Sequence, residues 1–227
     1  MNSGLKFSLS LAITFLIWLS SFTLPAQAQE NKSYYWNTIQ DFKKQDSINP
    51  LPKRSILMVG SSSFTNWHNV QQMFPGYMIV NRGFGGSQLL DVKQYFEVVK
   101  YPKKLKQIVI YAGDNDIAAG ATAELVLERV KSLINLIRKD EPKVQITYLS
   151  IKGCPGRAAS IPIVRQANDL IKKFISEQKK LDYADIFSAT MDPAGNPIPG
   201  IYVEDGVHLN EKGYAIWAEV LKPHLKK

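Results

Sequence analysis

The sequence predicts an α/β fold in which a five-stranded parallel sheet carries helices on both faces. Three observations lead there. Five short runs rich in apolar and β-branched residues recur along the chain, and longer stretches with helical spacing separate them. No internal repeat, low-complexity tract or second-domain linker interrupts the alternation. Right-handed crossovers onto one parallel sheet are nearly the only topology such alternation allows.

Ahead of the first element, Met1 to Phe7 carries Lys6 as its one charge, Leu9 to Leu19 is almost wholly apolar, and Ala26-Gln27-Ala28 follows. A lightly positive start, a short apolar core and an Ala-x-Ala end spell a secretory signal over residues 1–28, cleaved after Ala28. The apolar run is shorter than the about 20 residues a bilayer span needs, so no transmembrane anchor is expected after cleavage. An exported protein, periplasmic or extracellular, is the expectation, with residues 29–227 forming one domain.

Tyr34 to Asp46 reads as a helix with Tyr35, Ile39 and Phe42 on one face, ended by Asn49-Pro50-Leu51-Pro52. The strands are expected at Ser55 to Val59, Met78 to Val80, Ile108 to Tyr111, Val144 to Ile151 and Tyr183 to Phe187. Val126, Val130, Leu133, Ile134 and Ile137 make the clearest helical stripe, with Thr122 placed to cap it and Pro142 just beyond its end. Asp192 to Gly200 reads as a surface loop, and Asn210 to Leu225 as a last helix with Tyr214, Trp217, Val220 and Leu221 on one side.

The net charge of +8 is spread among acidic residues rather than gathered in a block, which argues against a nucleic-acid partner. Attraction to anionic lipid or envelope polymer stays open. Cys154 is the one cysteine, so no internal disulfide can form; it reads as a small loop or core residue rather than a nucleophile.

In an open parallel sheet, ligands bind outside the carboxyl ends of the strands. Ser61 to Ser63, Gly83 to Ser87 and Gly113 to Asp116 follow the first three strands, so all three loops should reach that edge. Of three histidines, His68 is placed in the helix after the first loop and His224 by the basic tail, whereas His208 follows Asp205 by three residues and precedes the final helix. That spacing lets the carboxylate orient the imidazole from within one loop, which makes His208 the best general base in the chain. Taken alone, Asp-x-x-His could equally cap a turn, and the Ser-rich loop could be an ordinary turn or an anion-binding loop. No nucleotide fingerprint is met, and Phe64 stands where a Gly-x-Ser-x-Gly elbow requires glycine.

With these blocks in order, the chain resembles the SGNH hydrolase superfamily, also called the GDSL-type esterases and lipases. Gly60-Ser61-Ser62 stands for the Gly-Asp-Ser block, Gly86 for the glycine block, Gly113-Asp114-Asn115-Asp116 for Gly-x-Asn-Asp, and Asp205 to His208 for Asp-x-x-His. The resemblance implies a flavodoxin-like three-layer α/β/α sandwich and a serine esterase that needs no cofactor or metal. It assigns Ser62 as nucleophile, His208 as base and Asp205 as its orienting acid. The oxyanion hole it implies comprises the backbone N–H groups of Ser62 and Gly86 and the side chain of Asn115. Ser61 departs from the family's Asp, which makes Ser61 and Ser63 rival nucleophiles to be excluded and changes how the first loop is tied down.

Asp116 is expected to hold the third loop through backbone hydrogen bonds, Trp67 to be core, and Arg82 and Arg157 to be solvated or ion-paired at the surface. Lys152 to Pro162 and Met191 to Val203 are expected near the site, setting substrate choice. The expected substrate is a short acyl ester of a carbohydrate or small alcohol. Lysophospholipid or other lipid esters, acyl transfer to a sugar, and silent glycan binding are the alternatives, since fold and triad do not fix the substrate. The oligomeric state is not legible.

Overall fold

β1 (Ile56–Gly60) divides its side chains between two cores: Ile56 and Met58 enter one apolar cluster, Leu57 and Val59 the other. This is the period-2 pattern of a strand covered on both faces, and it explains why the run is apolar at successive positions. The computed structural model describes residues 34–98 and 105–227. The expected signal at 1–28 lies outside the described residues. No helix among the described residues is long and apolar enough to cross a membrane.

The sheet is parallel throughout, in the order β2 (Ile79–Gly83), β1, β3 (Gln107–Tyr111), β4 (Gln145–Leu149), β5 (Leu181–Ala184). That is the flavodoxin-like order, with the switch in winding direction between β1 and β3. Helices α1 (Trp36–Ile48), α4 (Leu89–Val98), α6 (Ala123–Asp140) and α7 (Ile161–Ser176) pack on one face. The other face is covered by α9 (Glu211–Leu221) and the short α2 (Ser62–Thr65), α3 (Val70–Met73) and α8 (Ile186–Ala189).

Local signals set most boundaries. The Thr122 side chain accepts from Leu125 N–H at 3.2 Å, and Val126, Val130, Leu133, Ile134 and Ile137 are all buried beneath α6. Arg138 and Lys139 in its last turn suit the negative end of the helix dipole. β5, by contrast, begins and ends earlier than the apolar run suggests: Asp185 accepts from Ser188 N–H at 3.0 Å and so starts α8, which takes Ile186 and Phe187 out of the strand. β2 extends beyond the expected Val80 to Gly83, through Asn81 and Arg82, because pairing with β1 continues in register to Gly60. Asn168 closes the end of β4 like a strand partner, accepting from Ile151 N–H and donating to Ile151 C=O, both at 2.8 Å.

Gly60 is the close point of the sheet. A Cβ there would lie 1.9 Å from the Tyr111 carbonyl oxygen, which accepts from Ser61 N–H at 3.0 Å. Gly60→Ala is expected to lower the unfolding free energy by about 3 kcal/mol or more, measured by urea denaturation. A change below about 1 kcal/mol would show that β1 and β3 can move apart at no real cost.

Candidate active site

Ser62 opens α2 directly at the carboxyl end of β1, while Asn115 lies in α5 (Asp114–Ala118) directly after β3. The two therefore flank the crevice at the switch point. The loop after β2 reaches in from the side, where a Cβ on Gly85 would sit 3.9 Å from the Ser62 Cβ. The loop before α9 brings His208. All four blocks meet at one edge, as the sequence predicts.

His208 Nε2 lies 2.8 Å from Ser62 Oγ, and His208 Nδ1 lies 2.5 Å from Asp205 Oδ2. The second oxygen of Asp205 accepts from the backbone N–H groups of Val207 at 2.8 Å and His208 at 2.9 Å. Both bonds form because the Asp205 loop is a tight turn, with Gly206 at φ +64° and Gly206 N–H donating to Val203 C=O. Those donors, led by the His208 backbone N–H, lower the Asp205 pKa to about 2. Asp205 thus both caps its turn and faces the imidazole; the two readings of Asp-x-x-His hold together.

Ser61 and Ser63 take no comparable position. Both are buried, and the Ser61 hydroxyl has no hydrogen-bond partner among the described residues. Where the family has Asp, this chain leaves a small hydroxyl that ties nothing. The first loop is held instead by Asn81, whose amide donates to Phe64 C=O at 2.6 Å and accepts from Gly83 N–H at 2.9 Å. Gly83 allows this approach, since a Cβ on it would lie 2.5 Å from Thr65 N.

Gly86 adopts φ +80°, which favours glycine, and a Cβ there would fall 2.5 Å from the Tyr35 hydroxyl. Tyr35 leans edge-on against Phe84 at 5.5 Å. The first helix, which no motif marked, therefore packs its leading tyrosine against the glycine loop.

The Asn115 amide donates through Nδ2 to Ser87 C=O at 3.0 Å. Asp116 bonds a backbone N–H as expected, though one outside its own loop. Its oxygens accept from Leu89 N–H at 3.0 Å and Arg129 at 2.6 Å, so it anchors the start of α4 and thereby the glycine loop. Burial is the largest influence on Asp116 and raises its pKa despite both donors.

Three other residues differ from expectation or pass unmarked in the sequence. Arg157 is half-buried at the site rather than at the surface, with Nη2 donating to Asn115 Oδ1 at 2.9 Å. Lys152 is fully buried and donates to Asp114 Oδ2 at 2.6 Å and to the Tyr111 hydroxyl at 3.0 Å. Burial opposes ionisation of Asp114, but Lys152 and Arg157 together outweigh it and its pKa is lowered. His68 is an exposed turn residue between α2 and α3 rather than part of a helix. His224 pairs with Asp182 at 2.7 Å. Arg82 pairs with Asp46, and Trp67 is core. Cys154 is buried, and burial raises its thiol pKa, which suits a packing residue rather than a nucleophile. No group of three or more metal-ligating side chains occurs among the described residues.

Residues 55–216 match the GDSL-like lipase/acylhydrolase family. No curated protein matches the chain. Among solved structures, a Streptococcus pneumonia protein provisionally named a platelet activating factor superposes with a TM-score of 0.74 at 23% identity, covering 84% of this chain and 92% of its own. A GDSL-like lipase from Bacteroides thetaiotaomicron gives 0.69 at 17% identity, over 82% and 96% of the two chains. A carbohydrate esterase family 3 protein from Talaromyces cellulolyticus gives 0.58 at 19% identity, over 75% and 95%. These likenesses establish a shared fold. The family match covers most of the sequence and includes all four blocks, and by it this chain belongs to the GDSL-like lipase/acylhydrolase family of serine ester hydrolases.

Proposed function

We propose that this protein is an exported esterase that removes a short acyl group from a carbohydrate or other small alcohol through an acyl-enzyme on Ser62. The observation that carries the chemistry is the unbroken chain from Ser62 Oγ to His208 to Asp205, at 2.8 and 2.5 Å. Ser62 Oγ attacks the ester carbonyl as His208 Nε2 takes its proton, and the carbonyl becomes an oxyanion. The tetrahedral intermediate collapses, His208 returns the proton to the leaving alcohol, and the acyl group stays on Ser62. Water, deprotonated by His208, then attacks the acyl carbon, and as this second intermediate collapses His208 returns the proton to Ser62 Oγ, which releases the acid and restores the free serine. Asp205, kept ionised by its turn, holds the imidazole in the tautomer with a proton on Nδ1.

The oxyanion falls to the backbone N–H groups of Ser62 and Gly86 and to the Asn115 amide. Asn115→Ala is expected to lower kcat on the order of a hundredfold; a loss below tenfold would remove Asn115 from this role. Tyr35, whose hydroxyl stands against Gly86, adds bulk at the glycine loop that this reading places at the oxyanion, which favours a short acyl group. The carbohydrate esterase of Talaromyces cellulolyticus shares the fold and supports the sugar side of the reading. The signal-like start supports export.

The test is hydrolysis of p-nitrophenyl esters from acetyl to long chain, alongside an acetylated sugar. Turnover falling steeply beyond about four acyl carbons is the expected profile. A maximum at long chains would overturn the short-acyl reading in favour of lipid esters, and no turnover of any ester would overturn the esterase reading for this protein.

A further inference from the structure

Asn115 can serve the oxyanion only if its amide presents nitrogen rather than oxygen, and two partners of opposite character decide this. Ser87 C=O can only accept and takes Nδ2 at 3.0 Å; the Arg157 guanidinium can only donate and takes Oδ1 at 2.9 Å. A flipped amide would face both with the wrong atom. A cation on Oδ1 also draws electron density from the amide nitrogen, which makes its remaining N–H a stronger donor toward a developing negative charge.

Arg157 is itself held from two sides. Its Nη1 lies 3.5 Å from Asp114 Oδ2, the same oxygen that accepts from the fully buried Lys152 at 2.6 Å. Its turn, Pro155–Ser160, is tied to the histidine loop by Gly156 N–H donating to Gly206 C=O at 2.9 Å. Gly156 is needed for this contact, because a Cβ would come within 2.7 Å of the Asp205 carbonyl oxygen. Lys152, Asp114, Arg157 and Asn115 thus form a row of alternating charge that ends at the oxyanion amide.

We propose that Arg157 is a positioning residue for the hydrolytic step: braced by the buried Lys152–Asp114 pair, it fixes the Asn115 amide nitrogen toward the oxyanion and strengthens it as a donor. The proposal rests on the assignment of Asn115 to the oxyanion hole. Because the interaction matters most when negative charge develops, its loss should appear in kcat and not in KM.

The test measures kcat and KM for a p-nitrophenyl ester with Arg157→Ala and Arg157→Lys, each alone and combined with Asn115→Ala. Arg157→Ala is expected to lower kcat about twentyfold with KM within about threefold, a smaller loss than removing the donor itself. Arg157→Lys keeps the charge but not the planar fork and should recover part of the loss; it also serves if the alanine variant folds poorly. With Asn115→Ala already present, the Arg157 substitutions should cost less than about twofold, since nothing remains to position. Guanidinium ion added at millimolar concentration should partly restore Arg157→Ala. An unchanged kcat in Arg157→Ala, an equal loss persisting beside Asn115→Ala, or an effect confined to KM would each overturn the proposal. If Ser62→Ala abolishes turnover while Arg157→Ala does not change it, only this inference fails. If Ser62→Ala remains active, the acyl-enzyme reading fails first.

Discussion

Ser62→Ala is expected to lower ester turnover on the order of 10^5-fold, while Ser61→Ala and Ser63→Ala stay within about threefold of the parent. The contrast follows from position. Only Ser62 meets His208 Nε2, at 2.8 Å, whereas the neighbouring side chains are buried under the turn. Ser61→Ala should also leave thermal stability unchanged or slightly raised, because it removes a buried hydroxyl that has no partner among the described residues. The measurement is kcat for the three variants on one activated ester, with melting temperature as the control for folding. Activity surviving in Ser62→Ala would falsify the nucleophile assignment, and loss in all three variants with normal melting would show that the loop works as a unit.

The second large effect belongs to the base and its partner. His208→Ala should cost about as much as Ser62→Ala, since nucleophile and base act together, and the double variant should be no worse than either single one. Asp205→Asn should lower kcat about 10^4-fold with KM little changed, because an amide in this place favours the wrong imidazole tautomer. Asp205 has a folded pKa of about 2, below its ordinary 3.8. A depressed carboxylate contributes to stability above its unfolded value and loses that contribution as pH falls toward the folded one. The Asp205 contribution is therefore whole above about pH 4 and disappears as pH drops to about 2. Its side chain is 46% exposed, so solvent screens the effect and the stability change is small. Urea unfolding of parent and Asp205→Asn should differ by the same amount at pH 7 and pH 5 and converge toward pH 2. A gap that closes between pH 7 and pH 5 would point to another group.

The sheet, its parallel sense and the edge that carries the site are legible in the sequence because they depend on local patterns. Apolar runs at β1 and β3 mark strands buried on both faces, and Thr122 announces α6. Three of the four blocks follow β1, β2 and β3, so topology alone brings those together, while the Asp205–His208 block arrives on the loop before α9. What is not legible depends on contacts across the fold. Nothing near Arg157 in the chain reveals that it reaches Asn115, 42 residues earlier. Lys152 offers a faint signal, a lysine between Ile151 and Gly153 at the end of a buried run, which requires a charged partner. That the partner is Asp114 depends on β3 and β4 being neighbours. The role of Asp116 is likewise hidden, since its partners belong to α4 and α6. The end of β5 escapes the apolar pattern because one Asp185 cap outweighs two apolar residues beyond it.

The aromatic packing beneath the first loop has an optical consequence. Trp67, five residues after the nucleophile, stacks on Tyr214 at 5.2 Å and meets Trp217 edge-on at 6.0 Å, while Tyr111 lies 4.9 Å from Trp217. Tyr214 in turn donates its hydroxyl to Ser63 C=O at 2.9 Å. Chromophores this close and this fixed couple their transitions, so the folded protein should carry a strong near-ultraviolet circular dichroism signal from this cluster. Because the rings support the nucleophile turn itself, that signal is a built-in spectroscopic gauge of active-site order, one that would fade before the far-ultraviolet signature of the sheet if the turn loosened first.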